Sequence, residues 1–253
     1  MNEKENSLED KNKEDIKISI VIPAHNEENY IGKCLESISK ASKLVKNQVE
    51  IIVVLNRCTD RTEEIAKSYK CIIVKNNDKN LSKIRNAGVE IARGEIIVTI
   101  DADTQMNEHV LAKAEENLIS GKHIGGGVTG KFERMSLGIF VSALLLIGPL
   151  FFKYGAISVV IFWCYKKDFK AIKGFNEDML MAEDADFAKR LKEWGKKRGK
   201  KYGTIQNGMI TSSRKFDKHG DWVLLKRPKM ILAYLKGTDQ KYADEAYYEN
   251  QDR

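Results

Sequence analysis

The sequence predicts an α/β fold whose central sheet is mostly parallel and has helices on both faces. Short runs of consecutive apolar residues are typical of strands that are buried on both sides, and the first such run is KISIVIPA at residues 17–24. Segments with helical spacing separate these runs; the first places Ile31, Cys34, Leu35 and Ile38 on one helix face. Strands that alternate with helices in this way favour a parallel sheet.

The N-terminal half follows this alternation most clearly. The predicted strands are residues 17–24, 49–55, 71–75 and 95–100, and the predicted helices begin near Ile31, at Asp60 and at Leu81. Asp60 is predicted to cap its helix, with Glu63 three residues later completing a capping box. Because ligands of such sheets bind at the carboxyl ends of the strands, the polar residues that follow each strand are the candidate site.

The C-terminal half is less regular, and no Pro-, Gly- or Ser-rich linker separates it from the first. Its predicted elements are a helix from Asn107, a strand at 124–128, an uncharged stretch at 135–152, a strand at 155–165, a helix at 184–197 and a basic C-terminal region. We therefore expect one domain at residues 17–253, preceded by a disordered charged tail at residues 1–16.

Composition narrows the class of protein. Of the 253 residues 42% are hydrophobic and three are prolines, which excludes a collagen-like or wholly disordered chain. The net charge of +7 suits nucleic acid, anionic lipid or phosphorylated substrates, but no nucleic-acid-binding module or stacking motif is recognisable, so we expect no nucleic-acid partner. The four cysteines form no C-x-x-C pair, and no apolar signal segment opens the chain, which favours a cytoplasmic location.

Asp101-Ala102-Asp103 directly follows a predicted strand. Two carboxylates at the carboxyl edge of a sheet offer hard oxygen ligands for Mg²⁺ or Mn²⁺ on a diphosphate. The alternative is a polar turn that caps the next helix.

Glu183-Asp184 opens another predicted helix. Acidic residues in a first turn are favoured by the helix dipole alone, so simple capping is one interpretation. The other is catalytic, because a carboxylate at a helix start has a fixed direction, as a general base needs. Arg85, near the start of an earlier helix, is predicted either to meet a phosphate or to lie on the surface.

A glycine-rich run at residues 125–131 (GGGVTGK) matches the start of a phosphate-binding P-loop. Phe132 stands where the Mg²⁺-binding Ser or Thr is required, and the run lies far from the first strand. We therefore dismiss a P-loop and expect a glycine-rich strand end beside a ligand.

A series of motifs resembles the family 2 glycosyltransferases in order and approximate spacing. The motifs are IVIPAHNEE at 20–28, VVLNRCTDRT at 53–62, KIRNAGVEIARGE at 83–95, the D-x-D at 101–103, Gly174–Phe175 and EDADF at 183–187. Residues 211–222 (TSSRKFDKHGDW) are similar to a bacterial subgroup of these enzymes. The resemblance covers about residues 17–200, and its specificity lies in the ordered series.

The resemblance implies a GT-A fold and an enzyme that moves one sugar from a nucleoside diphosphate sugar to a hydroxyl acceptor with inversion. The implied donor-binding residues are Pro23, Ala24, His25, Glu27, Asn56, Arg85, Asp101, Ala102 and Asp103. Asp103 and Asp101 are the implied ligands of Mg²⁺ or Mn²⁺. Asp184, beside Glu183, is the implied catalytic base that deprotonates the acceptor, which is a glycan or is lipid-linked.

The sequence departs from the family pattern at two points. Leu55 and Asn56 stand where relatives often carry paired acids, which leaves UDP and GDP both open as the donor nucleotide. No Q-x-x-R-W motif follows the predicted base, which implies a non-processive enzyme.

The uncharged stretch between Arg134 and Lys153 holds 18 residues and would reach about 27 Å as a helix, close to the thickness of a bilayer core. A crossing would put Asp103 and Asp184 on opposite sides of the membrane, and Pro149 is expected to interrupt the helix. Two interpretations remain: a buried helix, or an interfacial helix that contacts the inner face of the membrane with the basic clusters at 196–201 and 214–229.

Two other functions compete with a glycosyltransferase. A nucleotidyltransferase that makes sugar nucleotides has a similar fold, but the glycine-rich loop expected after its first strand is replaced by His25-Asn26-Glu27. A non-catalytic scaffold at a membrane surface is the other alternative.

Overall fold

The structure is a computed structural model that describes residues 16–155 and 160–247. The disorder predicted for residues 1–16 falls almost entirely outside this range. Ile16, the last residue of the predicted tail, is instead the first residue of strand β1.

Eight strands form one mixed sheet in the order β3-β2-β1-β4-β7-β6-β8-β5 among the described residues. The strands are β1 (Ile16–Ala24), β2 (Gln48–Leu55), β3 (Ile72–Lys75), β4 (Ile96–Thr99), β5 (Thr104–Met106), β6 (His123–Phe132), β7 (Phe162–Tyr165) and β8 (Lys201–Thr211). The first four pair in parallel, as predicted. Strand β7 is antiparallel to both β4 and β6, β5 is antiparallel to β8, and β6 and β8 are parallel.

The helices surround this sheet. They are α1 (Ile31–Ser42), α2 (Thr62–Ser68), α3 (Leu81–Ile91), α4 (Val110–Ile119), α5 (Leu137–Tyr154), α6 (Lys166–Ala171), α7 (Glu183–Lys196), α8 (Arg214–His219), α9 (Val223–Lys226), α10 (Pro228–Lys236) and α11 (Gln240–Tyr247). Strands β5 and β8, helix α6 and the helices after α7 were not predicted individually. The strand predicted at 155–165 is confirmed only as β7, since Gly155 ends α5 and residues 156–159 lie outside the described residues.

The core has two layers because consecutive residues of a buried strand point to opposite faces of the sheet. Ile20 and Ile22 of β1 face a layer that includes Leu35 of α1. Val21 faces the other layer, with Ile84 of α3. Helices α1, α2 and α4 contribute to one layer and α3, α6 and α7 to the other, so helices cover both faces as the fold prediction requires.

The glycine-rich run lies on β6, and its glycines serve packing. A Cβ on Gly126 would lie 2.1 Å from the carbonyl oxygen of Gly203 and 2.5 Å from the Trp163 ring. Gly125 has φ +152°, and a Cβ on it would lie 2.6 Å from the carbonyl oxygen of Trp163. Trp163 and β8 fill the space beside these two glycines, while Phe132 at the end of the strand lines the cavity described below, so a ligand beside the strand end stays a prediction.

The prediction of a capping box at the start of α2 is also wrong in part. The Asp60 carboxylate accepts hydrogen bonds from the backbone N–H and hydroxyl of Thr62, at 3.0 and 2.6 Å. Glu63 does not reach back to complete the box, since it pairs with Lys67 and Lys75.

The prediction that Pro149 interrupts a helix in the uncharged stretch is wrong, because this stretch forms helix α5. It runs without interruption from Leu137 to Tyr154 and includes Pro149. The Ser136 hydroxyl caps its start by accepting the N–H of Ile139, and Gly155 ends it in the left-handed conformation at φ +66°. Among the described residues, it is the helix with the length and apolar composition of a membrane span, with a mean hydropathy of 1.9.

Candidate active site

A group of carboxylates gathers at the carboxyl end of the parallel strands, where the alternation of strands and helices predicted a site. Asp101 and Asp103 follow β4, while Glu183 and Asp184 begin α7. All four line one cavity of about 290 Å³, together with Arg85 of α3. Residues that are up to 98 positions apart in the chain thus meet at one point.

Arg85 lies beneath these carboxylates, with its side chain only 1% exposed. Its guanidinium donates to Asp101 Oδ1 at 2.7 Å and to Glu183 Oε1 at 2.8 Å, and it lies 3.1 Å from Asp184 Oδ1. The ring of Phe175 packs on the same guanidinium at 5.1 Å. Of the two alternatives that the sequence left open for Arg85, a surface position is therefore wrong.

Arg214, the first residue of α8, organises a second set of carboxylates. Its guanidinium holds Glu27 with two hydrogen bonds of 2.7 and 2.6 Å and lies 3.2 Å from Asp103 Oδ2. It also stacks over the ring of Tyr30 at 4.7 Å. The sequence assigned Arg214 to a basic cluster facing lipid, and this assignment is wrong because the guanidinium points into the site.

Burial sets the ionisation of the acidic residues. It raises the pKa of Glu183 to about 7 and also raises the pKa of Asp184, although the charge of Arg85 opposes both changes. Burial likewise raises the pKa of Asp103 and brings that of Glu27 to about 7, against the opposing effect of Arg214. Carboxylates that gain a proton near neutral pH are suited to acid–base chemistry.

Glu183 and Asp184 differ in access. The side chain of Glu183 is 4% exposed and that of Asp184 is 16% exposed, so Asp184 is the more open to the cavity. Asp184 Oδ2 accepts the backbone N–H of Val160 at 3.0 Å, which fixes the carboxylate. Within the described part of the chain, Glu183 Oε2 is buried without a hydrogen-bond partner, and buried Asp184 Oδ1 has the ion-pair contact with Arg85 but no hydrogen bond. A ligand that donates a hydrogen bond would satisfy them.

The loop that follows β1 carries the other predicted donor-binding residues. Strand β1 ends in the buried residues Pro23 and Ala24. His25 Nδ1 lies 2.5 Å from the carbonyl oxygen of Asn56, which joins the ends of β1 and β2. The Asn56 amide is buried and donates to the carbonyl oxygens of Asn76 and Asp78 at 2.8 Å each, so it fixes the loop after β3.

The chemistry of the donor set suits a divalent cation that shares its ligands with a substrate. No group of three or more His, Cys, Asp and Glu side chains could hold a metal within residues 16–155 and 160–247. Mg²⁺ is usually held by one or two carboxylates together with phosphate oxygens and water, so Asp103 and Asp101 are a sufficient protein contribution. The two side chains flank buried Ala102 and are 14% and 29% exposed.

Part of the cavity lining is apolar. It is formed by three helices that the sequence analysis did not connect with the site, through Ala143, Leu146 and Ile147 of α5, Val223 and Leu224 of α9 and Met230 and Tyr234 of α10. Lys215 and His219 of α8 line the cavity as well. The motif at 211–222 was the available signal for α8, but pattern alone did not show which of its side chains turn inward.

Comparisons with known proteins identify the family and the fold. Residues 19–143 match the sequence profile of the family described as Glycosyl transferase family 2. The glycosyltransferase GlyA of Streptococcus pneumoniae serotype 4 is 34% identical over 94 residues, which are 35% of this chain and 13% of GlyA. This chain thus matches well under two thirds of the length of that relative.

Solved structures show the same fold. A crystal structure of Staphylococcus aureus TarS residues 1–349 with UDP-GlcNAc has a TM-score of 0.62 at 19% identity, covering 79% of this chain and 59% of that one. Glucosyl-3-phosphoglycerate synthase from Mycobacterium tuberculosis, in complex with Mn²⁺, UDP and phosphoglyceric acid, has a TM-score of 0.60 at 19% identity, covering 88% and 80%. The architecture is that of the GT-A glycosyltransferases.

Proposed function

Because the chain belongs to glycosyl transferase family 2 over residues 19–143, we propose that it transfers one sugar from a UDP- or GDP-linked donor to a hydroxyl acceptor, with inversion at the anomeric carbon. The observation that carries this proposal is the single cavity that joins the D-x-D carboxylates to those that begin α7. A donor bound at Asp101 and Asp103 would present its sugar toward Asp184.

Asp184 is the proposed base. It would accept the proton of the acceptor hydroxyl while the hydroxyl oxygen bonds to the anomeric carbon and the bond from that carbon to the diphosphate breaks. Its greater exposure than Glu183 and its fixed contact with Val160 support this choice. Glu183 is proposed to hold Arg85, and so to orient the base.

Mg²⁺ or Mn²⁺ is the proposed cofactor, held by Asp103 and Asp101. When bound, the cation would stabilise the negative charge that develops on the leaving diphosphate. Arg214 would then exchange its contact with Asp103 for one with the diphosphate, since guanidinium groups bind phosphate oxygens well. His25, Glu27 and the loop fixed by Asn56 are proposed to border the nucleoside.

Nucleotide binding tests the donor assignment. We expect UDP or GDP to raise the melting temperature of the protein, and Mn²⁺ to increase this shift, because ligands that bind only the folded state stabilise it. Screening UDP- and GDP-sugars for hydrolysis would then identify the donor. Absence of any nucleotide-dependent shift would favour the non-catalytic scaffold, and release of pyrophosphate in place of nucleoside diphosphate would favour a nucleotidyltransferase.

We also propose a cytoplasmic location with attachment to the inner face of the membrane. Helix α5 supports attachment because Leu137, Phe140 and Leu144 are between 57% and 70% exposed. Exposed apolar patches mark interaction surfaces. Cell fractionation should place the protein with membranes at low salt and release part of it at high salt, whereas protein found only in the soluble fraction would contradict attachment.

A further inference from the structure

The cavity at the candidate active site is lined by two chemically different sets of side chains. Asp101, Asp103 and Asp184 are acidic, whereas the side chains from α5, α9 and α10 are mostly apolar. A hydroxyl acceptor that is polar throughout would leave the apolar set without suitable contacts. An acceptor with an apolar portion next to its hydroxyl-bearing head would match both sets.

The same three helices also expose apolar side chains on the outside of the molecule. On α5, Ala143 and Ile147 face the cavity, while Phe140 and Leu144 lie on the outer face at 57% and 60% exposure. The outer faces of α9 and α10 expose Leu225 and Leu232. A helix that is apolar on all sides is typical of burial in protein or in lipid, and here one side has neither protein nor a polar surface.

Basic side chains predominate on α9 and α10, between Asp221 and Asp239. Residues 222–238, which contain α9 and α10, include four basic side chains and no acidic one. Lys153 is the charged residue of α5 and lies near its C-terminal end. Basic residues around an apolar surface are complementary to a bilayer with anionic headgroups, where lipids present apolar chains next to polar heads.

We propose that the acceptor is an amphipathic lipid. The apolar side chains of α5, α9 and α10 that line the cavity would bind the part of the lipid chain closest to the head. This inference rests on the proposed glycosyl transfer. The head hydroxyl would reach Asp184, whose carboxylate takes the proton as the new glycosidic bond forms and the nucleoside diphosphate leaves. A volume of about 290 Å³ is at the lower limit for pockets that enclose a small ligand, so the remainder of the chain would stay in the bilayer.

Two variants on α5 test the chain-binding site. Ala143→Leu adds volume inside the cavity, while Gly148→Leu adds the same kind of side chain on the same helix where a Cβ meets nothing within 4 Å. The probe is 1-decanol, with 1-propanol as the short-chain control, and binding is measured by titration calorimetry. We expect wild type and Gly148→Leu to bind 1-decanol alike, and Ala143→Leu to bind it at least about tenfold more weakly.

Equal binding by Ala143→Leu and wild type would overturn the proposal, since the chain would then occupy only the outer surface. Absence of 1-decanol binding to wild type would overturn it too. Ile147→Phe, which enlarges a different lining residue, is the second variant if Ala143→Leu does not fold, and it should weaken binding in the same way.

A second readout separates an acceptor from an inhibitor. With the nucleotide sugar that stabilises the protein, 1-decanol should increase the release of nucleoside diphosphate above the rate with water or 1-propanol. This increase should be lost in Ala143→Leu and kept in Gly148→Leu. If 1-decanol binds but slows release, the assignment as acceptor is wrong. If no nucleotide sugar binds at all, the proposed function fails, while the calorimetric result still decides the chain site.

Discussion

Two arginines neutralise the candidate active site, and they differ in origin and surroundings. Arg85 comes from α3, within the region that matches the family, and its side chain is 1% exposed among three carboxylates. Arg214 comes from α8, outside that region, and its 23% exposed side chain contacts two carboxylates. Each arginine contacts one aspartate of the D-x-D sequence and at least one acid from another element.

The difference indicates two roles. Arg85 is enclosed and has more acidic neighbours than it can neutralise, so it is suited to hold Asp101, Glu183 and Asp184 in a fixed arrangement. Arg214 is partly open to solvent and can exchange partners when a phosphate arrives. One guanidinium is thus suited to a permanent place in the scaffold, and the other to the contact with the diphosphate that we propose.

The largest expected effect is that of Asp184→Asn on the rate of transfer. Loss of a general base lowers the rate by about 100- to 10,000-fold. Nucleotide binding should stay close to wild type, because the base faces the acceptor. Steady-state kinetics and nucleotide titration measure the two quantities, and a variant that transfers sugar at the wild-type rate would disprove the assignment.

Arg85→Met should cause the largest loss of stability. Removing one partner of a buried ion pair typically costs about 3–5 kcal/mol, because the carboxylates left behind lack a counter-charge. Chemical denaturation measures this change in the free energy of unfolding. Arg61→Met is the control, since Arg61 forms an exposed pair with Glu64 and should cost less than about 1 kcal/mol. Similar losses in both variants would contradict the scaffold role.

Arg214→Gln should affect donor binding more than stability. The open position of Arg214 predicts a loss of about 1–3 kcal/mol in unfolding free energy, and a higher KM for the nucleotide sugar. Arg134→Gln is the matched control, because Arg134 also contacts two carboxylates, Asp217 and Asp221, but neither belongs to the D-x-D sequence that Arg214 contacts through Asp103. A donor KM that rises equally in both variants would argue against direct contact with the diphosphate.

The smallest expected effect is a pH dependence of stability. Burial raises the pKa of Glu183 and that of Glu27 to about 7, from an ordinary value near 4.5. Each folded carboxyl therefore keeps its proton longer than the unfolded one, so its contribution to stability is present at acidic pH and is lost as the pH rises through about 7. Glu183→Gln and Glu27→Gln should each flatten this decline by on the order of 1 kcal/mol between pH 5 and 8. If the free energy of unfolding of both variants changes with pH as it does in the wild type, the raised pKa values are contradicted.

The parallel half of the fold was predictable because its signals are local. The apolar runs that form β1, β2 and β4 are each buried throughout or nearly so, and a few adjacent residues suffice to identify such strands. Strand β8 was missed because it has neither a continuous apolar run nor a regular alternation, which breaks where Asn207 adopts a left-handed conformation at φ +53°. Its pairing with β6 and β5 depends on residues far away in the chain.

The same distinction applies to the site. Asp101, Asp103 and Asp184 follow or begin regular elements, so their position was predictable from the alternation of strands and helices. The inward direction of Arg214 was not, because a basic run such as residues 214–229 has the same local pattern whether it faces lipid or carboxylates. Only the folded chain shows that Glu27 and Asp103 lie within reach.

The contact between Arg214 and Glu27 also constrains how the molecule can be assembled. The two residues are 187 positions apart, so their ion pair is among the contacts with the highest cost of loop closure. During synthesis, the first strands and their helices emerge long before α8 supplies its guanidinium. The acidic pocket therefore gains the counter-charge of Arg214 only after α8 has been made, so its charge balance is established late in folding.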